Sequence, residues 1–263
     1  NYFMCEGCAL GKTHRRVNRE SIRKMIPNYL KKPTYFGEVL YVDSSGPFSI
    51  ESHLESHKHI LVFVDAASGF IFDFYANSVT AEWTLQVLKE VIAFINNRGS
   101  KLIHYHADGA KNLISSNHKD YFNQNNITWS YSSPYCPEDN GYAERSFLTI
   151  KTKALSQLVS SKLPSSFWKF SCQYTVYLLN RLPKKTCKGF ISPFQFIYNE
   201  SPDLSHTRIF GSKVSVNIPK QLRLNDWSPR GQIGVFIGMR KRGIGYLVYI
   251  NELEKVIESN DVF

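Results

Sequence analysis

The sequence predicts an α/β fold, a mixed five-stranded sheet flanked by helices, with a small β module at the C-terminal end. Two observations point there. Three strand-like apolar runs open the main region, and strands and amphipathic helices then alternate in the order β-β-β-α-β-α-β-α-α. After a connector rich in Pro and Gly, only short strand-like runs follow.

Residues 1–37 are basic and irregular, and Pro27 and Pro33 break any long helix there. They read as the tail of a small module followed by a linker. Residues 38–183 form the core. Val39 to Asp43 is a short strand ended by Ser44-Ser45-Gly46-Pro47. His59 to Asp65 and Phe70 to Tyr75 are two more strands, joined by a turn that ends in Gly69. Thr80 is an N-cap for a helix to about Asn97, with Trp83, Val87, Val91 and Phe94 at helical spacing. Leu102 to Ala107 is a strand that delivers Asp108. A short helix around 117–122 and a strand from Ile127 to Tyr131 come next.

Pro134 and Pro137 mark 132–139 as a loop. The helix from about Asn140 to Val159 has the apolar stripe Ala143, Phe147, Ile150, Ala154 and Leu158. Glu144 and Lys151 share another face of that helix, turned away from the stripe. A last core helix, 166–180, turns Trp168, Cys172, Val176 and Leu179 inward, and Pro183 ends it. Residues 184–212 read as an irregular connector. Residues 213–263 hold short strands at 213–218, 231–237, 245–250 and 255–257.

Lys plus Arg number 32 against 22 Asp plus Glu, a surplus that favours polyanion partners. Five scattered cysteines, with no secretory leader and no long apolar run, fit a reducing compartment and no membrane partner. The chain reads as a segment of something longer.

Asp43, Asp108 and Glu144 are the candidate catalytic and metal-binding acids. Two stand at strand ends and one in the first turns of a helix, placements suited to holding a hard divalent cation against phosphate. Taken singly, each is more often a turn former or a surface residue. Asp65 and Asp73, also in or beside strands, are read as turn or surface residues.

The case for the three is joint, and here a resemblance enters. Thirty-five residues separate Asp108 from Glu144. Asp43-Ser44-Ser45-Gly46-Pro47 resembles a D-x-x-G-P motif, and Asn140-Gly141-Tyr142-Ala143-Glu144-Arg145 resembles N-G-x-A-E-R. Together these are similar to the D,D-35-E integrases of retroviruses and retrotransposons. Ser192-Pro193-Phe194 through Arg208-Ile209-Phe210-Gly211, and Gly234 to Gly238 through Gly245-Tyr246, narrow the resemblance to copia-type LTR retrotransposons.

The resemblance implies a ribonuclease H-like fold and Mg²⁺ or Mn²⁺ at the three acids. It also implies trimming of element DNA 3′ ends and their joining to target DNA. A homo-oligomer working in the nucleus after assembly in cytoplasmic particles follows, with room for a host targeting factor. Cys5 and Cys8 resemble half of the family's zinc module, so Zn²⁺ belongs to the full-length protein. Where the family usually shows D-x-G-x-E, this chain has Ala110 and Asn112 after Asp108.

Candidate DNA contacts are Asn140, Tyr142, Arg145, Lys151 and Lys153 around the Glu144 helix, and Lys213, Lys220, Arg240, Lys241 and Arg242 in the C-terminal module. Asn140 and Tyr142 have N-capping and packing as their alternative roles. Three other functions compete: a pure hydrolase on the same fold, a non-catalytic DNA-binding remnant, and a glycosidase. The last explains neither the charge nor the third acid.

Overall fold

The computed structural model describes residues 33–108, 110–131, 141–225, 227–241 and 245–263. Strands β1 (Val39–Ser45), β2 (His59–Asp65) and β3 (Ile71–Ala76) form an antiparallel meander. Strand β4 (His104–Ala107) pairs parallel to β1, and β5 (Thr128–Tyr131) parallel to β4. The order β3-β2-β1-β4-β5 makes the expected mixed sheet of five strands.

The sheet is covered on both faces, which explains the near-continuous apolar run of β2. On one face Leu40, Val42, Leu61 and Phe63 pack against helix α1 (Ala81–Asn96) and Phe122 of helix α2 (Ser116–Gln124). On the other, Ile60, Val62 and Val64 meet Ile150 and Ala154 of α3 (Gly141–Ser161) and Cys172 and Val176 of α4 (Trp168–Leu179).

Thr80 caps α1 as expected, accepting from the Trp83 amide at 3.2 Å. The buried stripe of α1, however, is Thr84, Val87, Leu88, Val91, Ile92 and Ile95. Trp83 and Phe94 flank it half-buried, because a helix on a sheet buries a band wider than one row of every fourth residue.

The connector is more regular than its sequence suggests. A small hairpin, β6 (Lys184–Thr186) with β7 (Gly189–Ile191), leads into helix α5 (Pro193–Tyr198). Ser192 caps α5 by accepting from the Gln195 amide at 3.0 Å, and Pro193 fills the first turn, so Ser-Pro-Phe is a helix start. Strands of three residues carry too little alternation to show in sequence. Gly211 closes the connector at φ +82°, where a Cβ would come within 2.1 Å of the Ser161 Cβ.

Strands β8 (Lys213–Asn217), β9 (Gly231–Met239), β10 (Tyr246–Ile250) and β11 (Lys255–Ser259) form an antiparallel sheet in the order β11-β10-β9-β8. Val214, Phe236, Val248 and Ile250 pack there on Leu158 of α3 and on Phe167, Phe170 and Tyr174. Helix α4 therefore serves both sheets: Cys172 and Val176 face the first, Phe170 and Tyr174 the second. Among the described residues no helix is long and apolar enough to cross a membrane.

Candidate active site

The parallel register of β1 and β4 pairs Val42 with Ala107. The next residue on each is an acid, so Asp43 and Asp108 stand side by side on neighbouring strands, a spacing of about 4.8 Å between chains. The motif glycine Gly46 lets β1 end there: at φ +128°, its Cβ would lie 2.5 Å from the Lys58 carbonyl oxygen. Glu144 projects from the exposed side of the first turn of α3, in line with Lys151.

Burial pushes the Asp43 carboxyl up to about 6; the Asp108 charge adds to this, a hydrogen bond from the Ser44 amide opposes it, and the Glu144 charge adds again. The charges of Asp108 and Glu144 thus both reach Asp43. Among the described residues no set of three His, Cys, Asp or Glu side chains closes around a metal position. The arrangement is open, with two carboxylates whose charge reaches the third and no cage around a common point. Ala110, at one departure from the family pattern, donates its amide to the Asp108 carboxylate at 3.1 Å. Asn112, at the other, donates to the Val79 carbonyl at 3.4 Å and so turns toward the start of α1.

Asp65 is the turn residue expected of it, but a buried one, and Asp73 requires a correction. Asp65 forms its turn by accepting from the Ser68 amide (2.8 Å) and hydroxyl (2.5 Å), but it also accepts from the Gly37 amide (2.8 Å) and is fully buried. Burial raises its carboxyl to about 6, against the pull of those donors and of Lys184. Lys184 is itself lowered to about 8 by burial and donates to the Gly69 carbonyl. Asp73 is also buried, in mid-strand on the face covered by α4, where its charge adds to the burial that raises the Cys172 thiol to about 12. Sequence spacing does not distinguish these acids from the three, because burial depends on which helix covers the strand.

The basic candidates separate by placement. Arg145 and Lys151 are exposed on α3, Lys153 is half-buried, Lys213 is exposed at the start of β8, and Lys220 is exposed in a short helical turn after it. Arg240 is spent on Glu258 at 2.7 Å. Lys241 donates to the Asp73 carbonyl at 2.6 Å and lies over the Phe74 ring, so it ties the second sheet to the first. Tyr142 takes its packing role, half-buried with its ring 5.4 Å from that of Tyr41. Cys5, Cys8, Asn140 and Arg242 lie outside the described residues.

The sequence reading missed a cluster beside the acids. His106 is buried with its ring 5.2 Å from Tyr41. Its Nδ1 lies 2.6 Å from the Ser130 hydroxyl, which meets His104 Nε2 at 2.8 Å, and His104 Nδ1 meets the Thr128 hydroxyl at 2.8 Å. The signal was present as alternation, His104 and His106 on one strand and Thr128 and Ser130 on the next, but their pairing needs the β4–β5 register.

Comparison with known proteins places this geometry. The profile of the retroviral polymerase SH3-like domain family matches residues 212–263. The retrovirus-related Pol polyprotein from transposon TNT 1-94 of Nicotiana tabacum is 31% identical over 98% of this chain and 18% of that polyprotein. That from transposon RE1 of Arabidopsis thaliana is 27% identical over 80% of this chain and 13% of its own length. The chain therefore spans less than a fifth of these relatives. In fold it is similar to a chain in the simian T-cell lymphotropic virus intasome in complex with PP2A regulatory subunit B56 gamma. That match has a TM-score of 0.52 and 15% identity and covers 88% of this chain and 80% of the other. With an SH3-like C-terminal sheet and Pol relatives along nearly its whole length, the chain belongs with the Pol polyproteins of copia-type retrotransposons.

Proposed function

We propose that the chain is a metal-dependent DNA strand-transfer enzyme that trims the 3′ ends of element DNA and joins them to target DNA. The observation that carries this reading is the β1–β4 register, which sets Asp43 beside Asp108, with Glu144 in the first turn of α3 near enough for its charge to reach Asp43. Their donor chemistry fits a hard divalent cation: three carboxylates, no competing thiolate among them, and a mutual repulsion that a cation relieves. Mg²⁺ or Mn²⁺ bound there would activate the attacking oxygen and stabilise the leaving oxygen of a phosphodiester.

The chain's own residues supply the rest. The β1–β4 register holds Asp43 and Asp108 at a fixed spacing, and the exposed turn of α3 brings Glu144 to the solvent side where a duplex can approach. Arg145 and Lys151, exposed on the same helix, take adjacent phosphates, with Lys153 behind them. Lys213 at the start of β8 and Lys220 in the turn after it extend the basic surface to the C-terminal module. The nucleophile is water in trimming and the new 3′-hydroxyl in joining. Joining two DNA ends to one target needs more than one copy of the chain, and the target is nuclear DNA. In the longer protein Cys5 and Cys8 supply two of four zinc ligands.

A second reading, an inactive or co-opted DNA-binding remnant, is favoured by the open arrangement of the acids and by Ala110 and Asn112. One experiment separates the two. The purified chain with Mn²⁺ is incubated with a branched DNA that mimics the joined product, beside Glu144→Gln. Resolution by the parent, slowed at least about a hundredfold in the variant, supports the enzyme, since metal-assisted charge stabilisation supplies several kcal/mol. Binding without resolution by either chain establishes the remnant.

A further inference from the structure

Each of the three acids is preceded by a ring two residues earlier: Tyr41-Val42-Asp43, His106-Ala107-Asp108 and Tyr142-Ala143-Glu144. In space those rings form one row. His106 and Tyr41 have centroids 5.2 Å apart, and Tyr41 and Tyr142 5.4 Å apart, both within the range where rings attract. We propose that Tyr41, His106 and Tyr142 are positioning residues that set the spacing of Asp43, Asp108 and Glu144, an inference that rests on the metal-dependent reading of that site.

On a strand, residues i and i+2 point to the same face about 7 Å apart. Tyr41 and His106 therefore lie on the face of Asp43 and Asp108, one step back from each acid along its chain. Helix α3 has no backbone pairing to either strand, so side chains set its rotation: Ile150 and Ala154 along its length, and Tyr142 in the turn that bears Glu144. With each residue turned by 100°, a ring held against Tyr41 fixes the direction in which Glu144 leaves the same turn.

Both ends of the row are held. His106 is tied through Ser130 and His104 to Thr128 on the edge strand β5. At the other end the Tyr142 hydroxyl lies against the β2–β3 turn, where a Cβ added to Gly69 would sit 3.3 Å from it. The ring cannot swing without displacing Tyr41 or that turn. Three acids borne on separate elements thereby share one reference.

The test is Mn²⁺ affinity of the purified chain, read from free Mn²⁺ by electron paramagnetic resonance, with thermal unfolding followed in chelator. Tyr142→Phe keeps the ring and should bind within about twofold of the parent. Tyr142→Val should bind about tenfold or more weakly, the scale of losing a group that orients a ligand, while its unfolding midpoint in chelator stays with the parent's. Parent-like Mn²⁺ affinity in Tyr142→Val overturns the proposal, as does a Tyr142→Phe that binds as weakly as the Val variant. If Tyr142→Val does not fold, Tyr41→Leu is read in the same way. Loss of Mn²⁺ in Glu144→Gln but not in the ring variants overturns this inference alone. A parent that binds no Mn²⁺ overturns it together with the proposed reaction.

Discussion

At the open edge of the five-stranded sheet, the Asn180 side chain stands in for a missing strand. Its Oδ1 accepts from the Ile71 amide and its Nδ2 donates to the Ile71 carbonyl, both at 2.8 Å, and the residue is buried. Two positions along the same strand, Lys241 serves the Asp73 carbonyl. Unpaired edge groups are costly when buried and invite pairing when exposed. Asn180→Ala should therefore lower unfolding stability by about 3 kcal/mol, since two buried backbone groups lose their partners. Urea denaturation checks this; a loss below about 1 kcal/mol would mean that water replaces the amide. None of this was legible in sequence. Asn180 reads as the polar end of a helix, and it lies 109 positions along the chain from Ile71.

Among the elements, α2 is short and weakly apolar, and its start depends on one imidazole. Ser115 and His118 form a reciprocal cap, with the Ser115 hydroxyl 2.8 Å from His118 Nδ1, and His118 Nε2 lies 3.3 Å from the Thr84 hydroxyl on α1. Burial lowers His118 to about 4, against the opposing charge of Glu82. Its folded value is below the ordinary 6.5, so the unfolded chain binds more protons between these limits. The stability due to neutral His118 is complete above pH 6.5 and is lost as pH falls toward 4, by up to about 3 kcal/mol. The raised carboxyls of Asp43 and Asp65 act in the opposite direction, so the measurement is a difference. Unfolding free energies at pH 7 and pH 5 should fall less in His118→Gln than in the parent. Parallel falls would show that another group titrates. Sequence located this helix to within two residues at each end, but a His three residues after Ser115 carries no sign of its burial until Thr84 is packed over it.

For the whole molecule, α4 is the element that makes two sheets into one body. Phe236 of β9 is fully buried and meets the Tyr174 ring at 5.1 Å and 86°, an edge-to-face contact. Phe236→Ala should cost about 3–5 kcal/mol. Because α4 also bears Cys172 and Val176 of the first core, the loss should appear as a downward shift of a single unfolding transition. A new early transition, with the five-stranded sheet still intact, would show that the second sheet unfolds independently. The sequence reading of this helix named only the residues at Trp168, Cys172, Val176 and Leu179. Phe170 and Tyr174 lie on its other side, and that side counts as inward only once the second sheet is in place.

The sequence by itself determined the order and type of the principal elements, the mixed sheet, and the placing of the three acids in the second half of β1, just past β4 and in the first turn of α3, although β1 runs two residues beyond Asp43, to Ser45. These are local properties: period, caps, turn residues, and motif residues whose spacing survives in one dimension. Only the tertiary structure decided which acids are buried, which lysines hold the protein together instead of facing solvent, and which rings line up beside Asp43 and Asp108. The reason is that burial, charge coupling and ring contact all depend on distances between elements far apart in the chain. Asp65 and Asp43 look alike along the sequence. They differ because Gly37 and Ser68 close over one, while Asp108 and Glu144 converge on the other.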